Sequence, residues 1–166
     1  MSKEKSRKGQ SLIEAMIALG VLTTGFLGII SILSKSFFYE RTISDTMTAT
    51  YLASEGIEVV KNMIDNAALN SKTWGSCFPN GDYEVDYTST CGNLNSYNIS
   101  DHLSFDSSTG LYSYDPSLPK TNFSRDVRIK NNGDEIIVDS IVNWNSGILT
   151  NQSITMEDHF YNWQPK

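Results

Sequence analysis

The residues with chemistry to offer are few and far apart. Glu14 is the one ionisable side chain between Leu12 and Leu33. Cys77 and Cys91 are the two cysteines, His102 and His159 the two histidines. Glu55 and Glu58 stand three residues apart, and Asp82, Glu84 and Asp86 alternate over five positions. Two thiols cannot build a four-thiolate zinc site, and two isolated imidazoles leave little for a catalytic metal. The alternating carboxylates lack the spacing of an EF-hand loop and read as one strand's solvent face. Glu55 and Glu58 read as charges on a solvated helix face. No glycine-rich phosphate loop, paired catalytic acids or Cys/His dyad is present. No cofactor, metal or catalysis is therefore expected, which leaves Glu14 and the two thiols to explain.

The chain around Glu14 is strongly polarised. Its 166 residues carry 13 Lys+Arg against 19 Asp+Glu, a net charge of −6. That sign disfavours direct nucleic-acid binding. Lys3, Lys5, Arg7 and Lys8 outweigh Glu4 in the first nine residues, while residues 15–34 hold no charge at all. Acidic residues dominate from Lys35 onward. As a helix, Leu12–Leu33 would rise about 33 Å, enough to cross the hydrocarbon core of a bilayer. A buried core helix and a cleaved secretory signal are the other readings of such a run. The run is longer than the apolar region of most secretory signals. Basic residues before the span and an acidic body after it predict a cytoplasmic N-terminus and an exported body.

The run Lys8-Gly9-Gln10-Ser11-Leu12-Ile13-Glu14-Ala15, with its apolar continuation through Leu22, resembles the processing site of type IV prepilins and pseudopilins. In that family a short basic leader ends in Gly, and a prepilin peptidase cuts after it. The mature chain then has Glu at its fifth position and an apolar helix beyond. The resemblance implies cleavage between Gly9 and Gln10, which makes Glu14 the fifth mature residue. The family's first mature residue is most often Phe or Met, so Gln10 departs from the pattern where N-methylation would occur. The resemblance also implies that Glu14 pairs with the new α-amino group of its own or a neighbouring subunit. Gly20, Gly25 and Gly28, with Thr23 and Thr24, would permit the local loosening of the helix that assembled pilins often have.

No proline interrupts the chain before Pro79. One helix is expected from about Ser11 to about Asn66, apolar all round at first and amphipathic from Lys35. Ile43, Met47, Thr50, Ala53, Ile57, Val60 and Ile64 follow helical spacing and form the predicted buried stripe. Met47, Tyr51 and Met63 read as core.

Residues 66–122 are rich in Asn, Ser, Gly, Asp and Tyr and read as loops with short strands, Tyr83–Tyr87 among them. Cys77 and Cys91 flank that strand. In an exported body they are expected to form a disulfide, the alternative being two unrelated thiols. Three further strands follow. Phe123–Lys130 alternates through Val127 and Ile129, and Asn132-Gly133 signals a hairpin. Ile136, Val138, Val142 and Trp144 share the next strand's apolar face, with Ser140 between them. After a turn at Asn145-Ser146-Gly147, Ile154, Met156 and Phe160 alternate with Thr155, Glu157 and His159. Sequons at Asn98, Asn122 and Asn151 are chance matches expected of an Asn/Ser-rich chain.

The predicted architecture is α+β, a long N-terminal helix, half membrane-spanning and half amphipathic, packed on an antiparallel β-meander. It is similar to the type IV pilin fold, and the Val142-Asn-Trp144 and Phe160-Tyr-Asn-Trp163 stretches resemble minor pilins. The implied organisation is a leader at 1–9, a transmembrane or filament-core helix at 10–34 and an extracytoplasmic globular domain at 35–166. The implied function is that of a minor pilin in a bacterial type IV pilus. Its partners would be other pilin subunits in a helical filament, the prepilin peptidase, the inner-membrane assembly platform and, before assembly, the membrane. The alternatives are a pseudopilin of a type II secretion or DNA-uptake system, and a single-span membrane-anchored binding protein or enzyme.

Overall fold

The computed structural model describes residues 4–147 and 149–162, and side chains from Ser11 onward. Trp163, part of the C-terminal resemblance, lies outside the described residues. Helix α1 runs Glu4–Leu69, starting earlier and ending later than expected. Contacts divide the chain into two compact units, Met1–Thr42 and Ile43–Lys166.

Within the first unit the described residues form a single helix. Every described side chain from Ser11 to Phe37 is exposed. The helix is regular through Gly20, Gly25 and Gly28, and open space surrounds the position a Cβ would take at each. No loosening is present among the described residues of this helix.

The second unit contains the C-terminal part of α1 and seven strands: β1 (Gly81–Glu84), β2 (Asn95–Ser96), β3 (Ser104–Asp106), β4 (Leu111–Ser113), β5 (Ser124–Asn131), β6 (Glu135–Ser146) and β7 (Leu149–Tyr161). Five of them form one antiparallel sheet in the order β2-β1-β5-β6-β7, and β3-β4 is a separate hairpin. The β5-β6-β7 meander is set by two tight turns. Gly133 takes φ +90° between β5 and β6, and Gly147 takes φ +57° between β6 and β7, a conformation that Gly adopts without steric cost. Strand β1 is shorter than the expected Tyr83–Tyr87 and ends at Glu84.

One face of the sheet packs on α1. Ile136, Val138 and Val142 are fully buried and Trp144 nearly so. Each such side chain removed from water contributes roughly 1.5–3 kcal/mol. The helix contributes Ala49, Leu52, Ala53, Gly56, Val60, Met63, Ile64 and Ala67, which is not the whole of the expected stripe. Ile43 and Met47 remain 59% and 53% exposed and Tyr51 69%. The buried stripe lies on the adjacent side of the helix, where small residues let the sheet approach closely.

The interface has three layers. An apolar cluster of Val60, Met63, Phe78, Val85, Val127 and Val138 lies at one end. Another of Leu52, Leu103, Phe123, Val142 and Trp144 lies at the other. Between them in helix position and strand register stand Gly56, Arg125 and Ser140. At Gly56 an added Cβ would fall 2.4 Å from Ser140 Oγ and 3.2 Å from both Ser140 Cβ and Arg125 Cδ, so the glycine marks the closest approach of helix to sheet.

Helix α1 ends in a Schellman arrangement. Ser71 takes φ +54°, its N–H donates to Ala68 O, and Lys72 N–H donates to Ala67 O. These two bonds cap carbonyls that the helix end leaves without partners.

Candidate functional site

In the first unit the candidate site is the surface of α1 itself. Helical backbone extends through Gly9 and Gln10, whose side chains are outside the described ones. Glu14 is exposed, and among the described residues none donates to its carboxylate. Gln10 and Glu14 are four positions apart, which puts both on one face, one turn apart.

Around Glu14 the helix is apolar on every side. None of this apolar stretch is buried among the described residues. Leu12, Met16, Leu19, Leu22, Phe26 and Ile29 are all more than half exposed. The exposed hydrophobic surface extends well beyond the patches common on soluble monomers. Three of the hydroxyls within it are satisfied by the helix. Thr23 Oγ1 and Thr24 Oγ1 each donate to Gly20 O at 3.0 Å, and Ser34 Oγ donates to Ile30 O at 3.0 Å. Such back-bonding removes the demand for water, as residence in lipid requires. The helix is thus long and apolar enough to cross a membrane.

In the second unit Cys77 and Cys91 are joined by a disulfide, with Cα atoms 5.1 Å apart. The crosslink closes the irregular segment around β1. In the chain-entropy account a loop of this length stabilises by about 3 kcal/mol.

Asp82 and Glu84 lie on β1 as strand alternation predicts, and Asp86 does not. Asp82, on β1, pairs with Arg128 at 2.8 Å, and Glu84 accepts from Asn98 N–H at 3.2 Å. Asp86 lies beyond the strand and turns inward, buried. It accepts from Thr88 Oγ1 at 2.6 Å, Thr88 N–H at 2.9 Å and Tyr114 N–H at 3.0 Å. Burial pushes the Asp86 carboxyl up, but these bonds and nearby Arg125 outweigh it and hold the group below the usual range. Among the described residues no cluster of His, Cys, Asp and Glu could hold a metal ion.

Glu55 also departs from expectation. It does not simply face solvent, since its Oε2 lies 3.1 Å from Arg125 Nη1. Arg125 is fully buried and donates further to Leu52 O at 2.8 Å and to Val85 O. A buried guanidinium costs several kcal/mol in lost hydration unless its donors are occupied. Here the helix (Leu52 O and Glu55) and the loop after β1 (Val85 O) supply acceptors to both Nη atoms, while Nε has no partner among the described residues.

The sheet's outer face carries matched charges. Lys130 pairs with Asp139 at 3.0 Å, and Arg128 reaches Asp126 at 3.5 Å. Asp126 is buried, and desolvation followed by the neighbouring Asp82 pushes its carboxyl up to about 6. His159 projects from β7 between Glu135, 2.8 Å from Nδ1, and Glu157, 3.1 Å from Nε2. Their hydrogen bonds, Glu135 first, raise its pKa above the usual histidine value. His102 is remote from His159 in the fold order, lying just before β3.

The sequence reading missed Arg125 and Gly56. Arg125 carried a usable signal, since it occupies the inward parity of β5 between Phe123 and Val127. Comparison with protein-family models, with curated proteins and with solved structures finds no match.

Proposed function

We propose that the chain is a minor pilin, a structural subunit of a bacterial type IV filament. Prepilin peptidase would cut it between Gly9 and Gln10, and the assembly platform would add it to the filament through its N-terminal helix. The observation that carries this reading is one coincidence of features. A basic tip ending in Gly9, a carboxylate at Glu14 and an uncharged run at 15–34 occur together, on a helix whose apolar stretch is unburied among the described residues. The α+β body beyond it, a helix on an antiparallel meander, is compatible with a pilin-like head.

The chemistry is electrostatic. In the precursor the apolar helix sits in the membrane with the acidic body outside. Cleavage frees an α-amino group at Gln10, one helical turn from Glu14 on the same face. A lone carboxylate at the edge of a bilayer core costs a few kcal/mol. Pairing with an amine in low dielectric offsets that cost and is far stronger than in water. An amine from a neighbouring subunit would do the same and would fix the axial register of the two helices. Loss of residues 1–9 with their surplus of three positive charges takes the net charge from −6 to −9. The basic tip is then an orientation and processing signal, absent from the working molecule.

The test is incorporation. A Glu14→Ala chain is expected to be processed and inserted normally, yet to be missing from sheared filaments by immunoblot. Normal recovery of that variant in the filament fraction would refute the pairing.

A further inference from the structure

The C-terminal turns of α1 and the segment Tyr87–Cys91 enclose a cleft of ≈ 350 Å³, within the size range of small-ligand sites. Its construction differs on its three sides. Val59, Met63 and Ala67 supply apolar surface. Asn62, Asn66 and Asn70 recur every fourth residue, so their amides stand in a row along one helix face. Tyr87 and Thr90 line the opposite wall, and Lys72 stands at the helix end.

The polar groups are held in place and remain available. Asn70 Nδ2 donates to Asn66 Oδ1 and, at 2.8 Å, to Asn66 O. This locks two amides together and leaves the Asn66 NH2 as donor and the Asn70 carbonyl as acceptor. The Asn62 amide and the Tyr87 hydroxyl have no hydrogen-bond partner among the described residues. Tyr87 is 54% exposed, an aromatic ring with one side open to the cleft and solvent. Lys72 Nζ donates at 3.2 Å to Cys91 Sγ, a weak acceptor that an oxygen ligand could replace. The disulfide through Cys91 ties this wall to the core cluster containing Phe78.

We propose that this cleft binds a saccharide. A sugar ring presents adjacent hydroxyls that both donate and accept, which matches a row of amides. It also has a C–H face that packs on an aromatic ring. Tyr87 supplies the stacking surface and the three asparagines read the hydroxyls. Lys72 takes a ring hydroxyl or, in an acidic sugar, the carboxylate. A nucleic acid would also offer rings for stacking, but a single cation on a chain of net charge −6 gives a phosphate backbone little to bind. The proposal does not rest on filament assembly, since no residue of the cleft belongs to the N-terminal segment.

The test uses the full-length chain in a zwitterionic detergent, applied to an array of neutral and uronate-containing oligosaccharides with a single-stranded oligothymidylate spot as comparison. Saturable retention on one or more glycans is expected. Tyr87→Ala and Asn66→Leu should each weaken it at least about tenfold, with circular dichroism and Tm unchanged. Asn62→Leu, at an exposed position without partners, provides a third variant with no fold at stake. Weakening by Lys72→Met confined to uronates would assign the acidic class, and equal weakening on neutral glycans would assign a hydroxyl contact. Failure to retain any glycan would overturn the proposal. So would retention that Tyr87→Ala and both asparagine variants leave unchanged, or retention of the oligothymidylate alone.

Discussion

The guanidinium of Arg125, on a central strand, lies 3.1 Å from the carboxylate of Glu55 on the helix that the strand packs against. It forms the polar layer between two apolar clusters and ties helix, sheet and the loop at Val85 together. Arg125→Ala would leave the Leu52 and Val85 carbonyls without that donor and a void behind them. The expected cost is about 3 kcal/mol in urea unfolding. Glu55→Gln keeps a hydrogen-bond acceptor and should cost roughly 1 kcal/mol. Equal losses for the two variants would mean that the ion pair, not the buried donors, dominates.

Gly56 and Ser140 form a second testable pair. Alanine is the better helix former by about 1 kcal/mol, so Gly56→Ala would stabilise an unobstructed helix. Here its Cβ would meet Ser140 Oγ at 2.4 Å, and a net loss of roughly 1–3 kcal/mol is expected. Ser140 Oγ is buried without a partner among the described residues, so Ser140→Ala should be neutral or mildly stabilising. The double variant should recover part of the Gly56→Ala loss, a coupling that a double-mutant cycle measures directly.

The helix stripe and the polar layer locate the limits of sequence reading. Strands β5, β6 and β7 were legible because a single buried face imposes strict alternation, and Ile136, Val138, Val142 and Trp144 all point inward. The helix was legible as a helix but its buried side only in part, since Ala53, Val60 and Ile64 of the expected stripe are buried and Ile43 and Met47 are not. Large apolar residues at Ile43 and Met47 outweighed Ala49 and Gly56 in the pattern, whereas close packing selects the small ones. Asp86 was misplaced because its strand stops at Glu84 and local bonds from Thr88 and Tyr114 turn it inward. The cleft at Asn62, Asn66 and Asn70 depends on a loop without periodicity, so nothing in the pattern placed it. The pairing of Cys77 and Cys91 was legible as two thiols flanking β1, and the bond is present with Cα atoms 5.1 Å apart.

Two groups make stability depend on pH with the same sign. Asp126 is raised to about 6 by burial, so the folded state binds its proton before the unfolded state does. The penalty of burying its charge is full above pH 6 and fades as pH falls toward the unfolded value near 3.8. His159 is raised by Glu135 and Glu157. Its contribution is complete below the unfolded value near 6.5 and is lost as pH rises through the folded one. Stability measured by urea unfolding should therefore increase from pH 8 to pH 5. Below the unfolded aspartate value near 3.8 it should fall, as pH drops toward the lowered pKa of Asp86. Asp126→Asn should flatten the slope around pH 6 and raise stability at pH 7 by on the order of 1–2 kcal/mol. A flat wild-type profile between pH 8 and pH 5 would contradict both assignments.

The central claim is that residues 1–9 are a leader, removed so that Glu14 becomes the fifth residue of a filament subunit. The mass of the N-terminal peptide of the protein, isolated from cells that carry a prepilin peptidase, tests it most directly. The account predicts a chain beginning at Gln10, with or without one added methyl group, and accumulation of the uncut precursor when the peptidase is absent. A chain still carrying its leader in the presence of the peptidase, or one cut at any other bond, would contradict it.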